Sequence, residues 1–507
     1  MLAKTKSFTL NGLKGEKIDI EIDATAGKSS VVVVGLPDAT VKEAIERVSS
    51  AIKNSGFQFP QKKIVINLAP ADIKKEGTVF DLGIALGILV ASNYITTKQV
   101  EEYVFLGELS LDGHVRDIVG MLPLLISAKE SGHKKFIIPK GNLAEASYIE
   151  GMEIYALDTL SEVVSHLKNE IVAEPIKMLE WSNTENGEAE DFSRVKGQRR
   201  AKRAMEIAVA GGHNIMMVGA PGSGKTMLAR CVPSILPDLT FAEALEITKI
   251  HSVAGTLDKN KGVITARPFR APHHTASAVS LTGGGRNSKP GEISLAHYGV
   301  LFLDEMPEYP RNILETLRQP LEDGTITVAR ANQTVEYPAS FMMIASMNPC
   351  PCGNYGSRDL ECTCSMSQID KYLKKLSGPL LDRIDLKIDV DRVEFLDLRN
   401  ETKEETSEEV RARVNKARAI QLERFKFDKI FTNAKMSSSH LKKYCEIDAE
   451  TESYLKFAFE RFKLSARGYT RILKVARTIA DLEGSENIQR EHVLEAISYR
   501  TIEKYEL

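Results

Sequence analysis

The sequence predicts an α/β protein: a nucleotide-binding core built on a parallel sheet with helices, a helical lid after it, and a second α/β domain before it. Three observations carry this. Gly219-Ala220-Pro221-Gly222-Ser223-Gly224-Lys225-Thr226 fits the phosphate-cradling pattern G-x-x-x-x-G-K-[ST], with an apolar strand, Ile215–Val218, before it and a helical run from Met227 after it. Gly299-Val-Leu-Phe-Leu-Asp304-Glu305 reads as a buried parallel strand that delivers two acids at its C-terminal edge, where open α/β sheets bind ligands. From about residue 394 onward the pattern is helical.

At 507 residues the chain is too long for one core, so two to four domains are expected. Its 67 Lys and Arg against 69 Asp and Glu leave a net charge of −2, so contact with nucleic acid must rest on local patches. No apolar run has membrane-spanning length, and Met1-Leu-Ala-Lys-Thr-Lys leads into no signal-type apolar core; a soluble, cytoplasmic protein without membrane attachment is expected. Six cysteines are too few for a secreted disulfide framework, but four crowd into fifteen positions, which suggests local chemistry.

Residues 1–168 read as the first α/β domain. Ser30–Val34 is expected to be a buried strand, followed through Gly35-Leu-Pro-Asp38 by a helix with apolar Val41, Ala44, Ile45 and Val48. A strand over Lys63–Leu68, a helix over Phe80–Ser92, a hairpin turning at Asp112-Gly113, a helix near Leu122–Ser131 and a strand over Lys135–Pro139 follow. This order resembles the proteolytic domain of Lon proteases, which use a serine activated by a lysine. Here Phe80 or Asp81 stands near the serine's place and Leu122 at the lysine's. The expectation is a Lon-like fold without the Ser/Lys dyad, serving assembly or binding. Residues 169–190, polar and acidic after Trp181, read as an exposed linker.

The core domain spans 191–393, and Arg194–Ala210 reads as an amphipathic helix. In the glycine-rich loop, backbone N–H groups turn toward phosphate, Lys225 reaches its β/γ oxygens, and the Thr226 hydroxyl is offered to Mg²⁺. Asp304 is expected to hold that Mg²⁺, and Glu305 to orient and deprotonate the attacking water. Between these elements, Arg267-Pro-Phe-Arg-Ala-Pro-His-His-Thr275 and Ser280–Gly291 form a long insertion rich in glycine and basic groups, including Arg286 and Lys289. His273 and His274 are read as hydrogen-bonded structural histidines, because adjacent side chains diverge and no third metal ligand is spaced to help.

Thr325–Tyr337 reads as a hairpin with Arg330 near its tip, either an ordinary surface hairpin or a nucleic-acid contact. Phe341–Asn348 is another buried strand, placing the Asn348 amide where it can bond a γ-phosphate or the lytic water. Cys350, Cys352, Cys362 and Cys364 suit either a Zn²⁺ loop or free thiols. Arg383, at a helix-to-strand junction, suits a finger that reaches a neighbouring subunit's γ-phosphate. In the helical domain, 394–507, Arg411–Lys443 carries ten Lys/Arg against two Asp/Glu, which fits phosphate contacts but more often a solvated face. Arg467, then Arg471, are the lid residues expected to touch nucleotide.

Taken together, the Lon-like first domain, Arg267–Thr275, Pro290-Gly-Glu-Ile-Ser-Leu-Ala-His297, Asn348-Pro-Cys-Pro-Cys-Gly353 and Ala466-Arg-Gly468 resemble the AAA+ ATPases of the magnesium-chelatase-like group, and within it the ComM/YifB family. The resemblance implies sensor 1 at Asn348, the arginine finger at Arg383, sensor 2 at Arg467 and a pre-sensor hairpin around Arg330. It also implies ATP and Mg²⁺ as ligands and a homo-hexameric ring. Its partners are then single-stranded and branched DNA, with Arg330, Arg286 and Lys289 as contacts, and recombination proteins. Its work is branch migration during natural transformation. A chelatase-type motor remodelling a protein partner is the rival expectation.

Overall fold

Two alternating segments, Leu2–Asn11 and Lys14–Thr25, pair antiparallel around Gly12 and found a seven-stranded sheet in the computed structural model of the chain. The described residues are 2–75, 77–183, 189–285, 288–330, 333–357, 360–393, 404–428, 430–462 and 464–500. They divide into two compact units, Met1–Ser182 with Phe241–Ile264, and Asn183–Thr240 with Thr265–Leu507.

In the first unit the strands lie in the order Ser30–Val34, Lys63–Ala69, Lys14–Thr25, Leu2–Asn11, Tyr103–Phe105, Lys135–Pro139, Glu153–Leu157. Helix Asp81–Ala91 is buried on every side against this sheet, so its residues are apolar all round rather than on one stripe. The helix after Gly35 runs Ala39–Asn54, its first turn capped by Asp38, whose carboxylate accepts from the Val41 N–H at 2.8 Å. One expectation fails here: Ser30–Val34 is not buried. It is the last strand of the sheet, bonded only to Lys63–Ala69, and Val32 and Val34 are 45% and 41% exposed. An apolar run alone does not tell a central strand from an edge.

At the positions compared with the Lon dyad, Asp81 is fully buried and paired with Arg47 at 3.0 Å, and Leu122 is fully buried in the core. Burial pushes the Asp81 carboxyl up to about 7, with Arg47 opposing the rise. Residues 241–264, which interrupt the nucleotide core in sequence, belong to this first unit. Helix Phe241–Ala254 places the Ser252 hydroxyl as a donor to buried Glu145, which also accepts the Leu122 N–H at 2.8 Å. The chain just beyond residue 168 stays with the same unit, the Ile176 N–H donating to Ile154 O at 2.8 Å and Leu179 to Ser147 O at 2.9 Å.

The second unit is built on a five-stranded sheet, all parallel, in the order Phe269–Arg270, Val300–Leu303, Met342–Met347, Ile215–Val218, Leu386–Asp389. Ile215 lies between Ile344 and Leu386, so the strand feeding the glycine-rich loop is interior, and all four of its residues are buried. The helix expected from Arg194 begins at Arg199, because Gly197 and Gln198 take positive φ angles of 59° and 52° that break helical geometry. Helices Ser407–Arg424 and Ala466–Glu483 share one apolar core with the sheet. The basic excess of 411–443 is partly used inside this unit: Arg413 pairs with Glu206 at 2.5 Å, Arg424 with Asp481 at 2.6 Å, and Arg418 donates to Val209 O. Among the described residues no helix is long and apolar enough to cross a membrane.

Candidate active site

Strand Ile215–Val218 ends at Gly219, whose N–H donates to Met347 O at 3.2 Å. The chain then turns through Ala220-Pro221-Gly222-Ser223-Gly224, with Gly222 and Gly224 at φ 76° and 91°, into helix Lys225–Ile235. Nothing stands within 4 Å of a Cβ built on either glycine, so they are required for backbone conformation and not for lack of room. Lys225 is folded back into this loop, donating to Gly219 O at 2.8 Å, Ala220 O at 2.9 Å and Asn348 Oδ1 at 3.3 Å. Burial lowers its ammonium below the ordinary lysine value, with Asp304 and Glu305 opposing.

The parallel register sets the acids beside this loop. Strands Val300–Leu303 and Met342–Met347 run in step, Leu303 opposite Ala345, so Asp304 and Ser346 follow side by side. The Thr226 hydroxyl donates to Asp304 Oδ2 at 2.9 Å, and the Ser346 hydroxyl donates to Asp304 Oδ1. Glu305 stands at φ 51°, a left-handed conformation rare outside glycine, and its N–H is held by Ser346 Oγ at 3.2 Å. This kink turns the Glu305 side chain out of the strand direction, leaving it exposed beside the loop. The site thus gathers Lys225, Thr226, Asp304 and Asn348 through direct contacts, with Glu305 next to Asp304.

Two participants were not foreseen. Ser346 orders both acids, and His274 lies with Nδ1 3.9 Å from Glu305 Oε2. His274 is stacked on His273 and meets the Tyr309 ring edge-on, while the Tyr309 hydroxyl donates to Pro272 O. His273 matches the expected structural histidine, bonded to Thr275 Oγ1 at 2.8 Å. His274 has a neighbour that sequence spacing could not indicate, thirty-one positions away.

Arg383 and Arg467 stand together, apart from that group. Arg383 is 6% exposed; it donates to Pro379 O at 2.6 Å and to the Glu322 carboxylate, and its Nε has no partner among the described residues. Arg467 donates to the other oxygen of Glu322 at 3.3 Å. Burial, then the guanidinium charges of Arg467, Arg318 and Arg471, hold Arg383 below the ordinary arginine value. Arg471 forms an ion pair with Asp385 at 3.2 Å instead.

Of the expected DNA contacts, Arg330 ends its strand paired in register with Gln333, and Lys289 is exposed in a short ladder with Gly284. Arg286 lies outside the described residues. The two hairpins meet where the Tyr337 hydroxyl donates to Ser288 O at 2.7 Å. The four cysteine sulfurs converge within 4.8 Å of one another, with Cys350–Cys352 at 3.3 Å, Cys352–Cys362 at 3.6 Å and Cys350–Cys362 at 3.7 Å.

A glycine-rich phosphate loop on an interior strand, a second strand ending in Asp-Glu, an asparagine-tipped strand between them and a helical lid define an AAA+ protein of the magnesium-chelatase type. Family models agree: magnesium chelatase, subunit ChlI, matches residues 191–398, its C-terminal part matches 404–500, and subunit ChlI of Mg-chelatase matches 20–142. The chain is 43% identical to competence protein ComM of Haemophilus influenzae over 99% of its own length and 98% of the relative's, and 42% identical to protein YifB of Escherichia coli over 97% and 96%. It belongs to the ComM/YifB family. Over 30% of its length it is also 30% identical to Lon protease 2 of Bacillus subtilis, covering 30% of that protein.

Proposed function

We propose that this chain is an ATPase that works as a homo-hexameric DNA motor, a branch-migration helicase that helps integrate single-stranded DNA during transformation or homologous recombination. The observation that supports it most is the convergence of Lys225, Thr226, Asp304, Glu305 and Asn348 at one edge of a parallel sheet, in a chain similar over nearly its whole length to a protein named for competence.

The residues fit the ligands. Lys225 now bonds loop carbonyls, and an incoming phosphate offers its ammonium a stronger, charged acceptor. The Thr226 hydroxyl and Asp304 carboxylate are adjacent hard oxygen ligands of the type Mg²⁺ takes. Bound Mg²⁺ supplies charge neutralisation at the β- and γ-oxygens. Glu305 then takes a proton from water at its Oε atoms, while the Asn348 amide orients the γ-phosphate or that water. His274, close to Glu305, is positioned to hold the carboxylate until the site is filled.

Arg383 completes the site from a neighbouring subunit, and Arg467 touches nucleotide from the lid. In the single chain Glu322 occupies both, and assembly transfers them from that carboxylate to phosphate. Because the Arg383 finger acts in trans, turnover requires a ring, and Arg330, with Arg286 and Lys289, grips the DNA backbone. The family's chelatase matches favour a second reading, a motor that remodels a protein partner. The first domain serves assembly or binding and not proteolysis.

We also infer that the four cysteines hold Zn²⁺. Tetrahedral Zn–S bonds place sulfurs about 3.8 Å apart, and the closest three pairs lie at 3.3–3.7 Å. A Tyr355 N–H donates to Cys350 Sγ at 3.3 Å, the kind of amide contact that supports a thiolate ligand.

The test is ATPase rate with and without single-stranded DNA, together with strand displacement on three- and four-stranded junctions. Stimulation that declines with salt, and that Arg330→Ala reduces while sparing the basal rate, supports the DNA motor. Indifference to DNA overturns it in favour of the protein-remodelling reading.

A further inference from the structure

We propose that the four-cysteine loop is a brace for the nucleotide site, so that its metal occupancy sets nucleotide affinity; this rests on the reading of the cluster as a zinc site.

The loop is tied to the site at three points. First, the chain leaves strand Met342–Met347 at Asn348, and with Pro349 between them the next residue, Cys350, is fully buried. Fixing Cys350 therefore fixes the amide that bonds Lys225. Second, the loop lies directly on the phosphate loop. Gly353, beside Cys352, has φ 83°, and a Cβ there would stand 2.4 Å from Pro221 Cδ and 2.6 Å from Cγ. Pro221 is next to Ala220, whose carbonyl receives Lys225. Third, the loop returns to where it began. Ser365, just after Cys364, caps helix Met366–Leu373, and Tyr372 near the end of that helix comes back close to the backbone of Asn348.

A metal at the cysteines thus closes a circuit: Asn348, Cys350, the ion, Cys364, the capped helix, Tyr372, and Asn348 again. Without it the loop loses the ion that ties its two ends together, and the cost of ordering a loop of that length falls on nucleotide binding. Gly353 is then free to lift from Pro221, and Asn348 from Lys225.

The experiment uses the full chain. Elemental analysis of the purified protein is expected to find about one zinc per chain. Affinity for a fluorescent ADP analogue is measured in excess Mg²⁺ before zinc removal by a zinc-selective chelator, after it, and after zinc is returned. The expected result is a loss of about tenfold on removal and recovery on return. Gly353→Ala, which keeps all four thiols, is expected to retain zinc and still lose affinity, because its methyl pushes the loop off Pro221. If wild-type protein carries zinc yet binds nucleotide equally well when stripped, and Gly353→Ala is unaffected, the brace is refuted while the zinc site stands. If no zinc is found, the underlying reading fails first.

Discussion

On the proposed reading Lys225 and Glu305 answer different halves of the chemistry, and substitution separates them. Lys225→Ala removes the one ammonium folded into the phosphate loop, so it is expected to weaken nucleotide binding in equilibrium titration. Glu305→Gln keeps the shape but takes away the proton acceptor; binding should persist while turnover falls by a factor on the order of 10² to 10⁴, read from phosphate release. Normal hydrolysis by Glu305→Gln would remove Glu305 from the role of base. Both residues were legible in the sequence because each belongs to a contiguous motif whose spacing carries its meaning. Ser346, His274 and Glu322 were not. Their importance comes from strand register and from a loop returning over the sheet, and a serine inside an apolar strand or a lone glutamate gives no local signal.

Among elements, the junction before strand Leu386–Asp389 joins the sheet to the lid. Asp385 forms an ion pair with Arg471 of helix Ala466–Glu483 at 3.2 Å and accepts the Asn214 N–H at 3.1 Å, with His213 at 3.4 Å. Burial alone would raise its carboxyl; the charge of Arg471 and the His213 contact outweigh it and hold the group well below the usual carboxylate range. A depressed acid stabilises the fold fully above the unfolded value, near 4, and that contribution is lost as pH falls below it. Asp385→Ala leaves buried cations unpaired and is expected to cost about 3–5 kcal/mol in urea unfolding at neutral pH. The difference between variant and wild type should shrink under acid; a difference that grew would contradict the assignment. Elements themselves were largely readable from periodicity and caps. The two failures of interest, the exposed edge strand Ser30–Val34 and the late start of helix Arg199–Gly211, share a cause: sheet position and a positive-φ Gly-Gln pair lie outside what apolar spacing encodes.

For the whole molecule, the segment 241–264 is the clearest thing the sequence hid. It sits between the phosphate loop and the acidic strand in order, yet packs with the first unit, because its apolar face finds the helix Met121–Glu130 and the buried Glu145. The function proposed at this scale rests on Arg383 and Arg467, which meet at Glu322 and are bonded to none of the phosphate-loop residues among those described. On the proposed reading, chemistry needs a second copy to bring guanidinium to phosphate. The most direct measurement is ATPase activity of Lys225→Ala and Arg383→Ala, each alone and then assembled together. Each variant alone is expected to be inactive, and the mixture to recover activity, since about a quarter of its interfaces join an intact phosphate loop to an intact finger. Full hydrolysis by Arg383→Ala alone, or a mixture no more active than its parts, would contradict an active site shared between subunits.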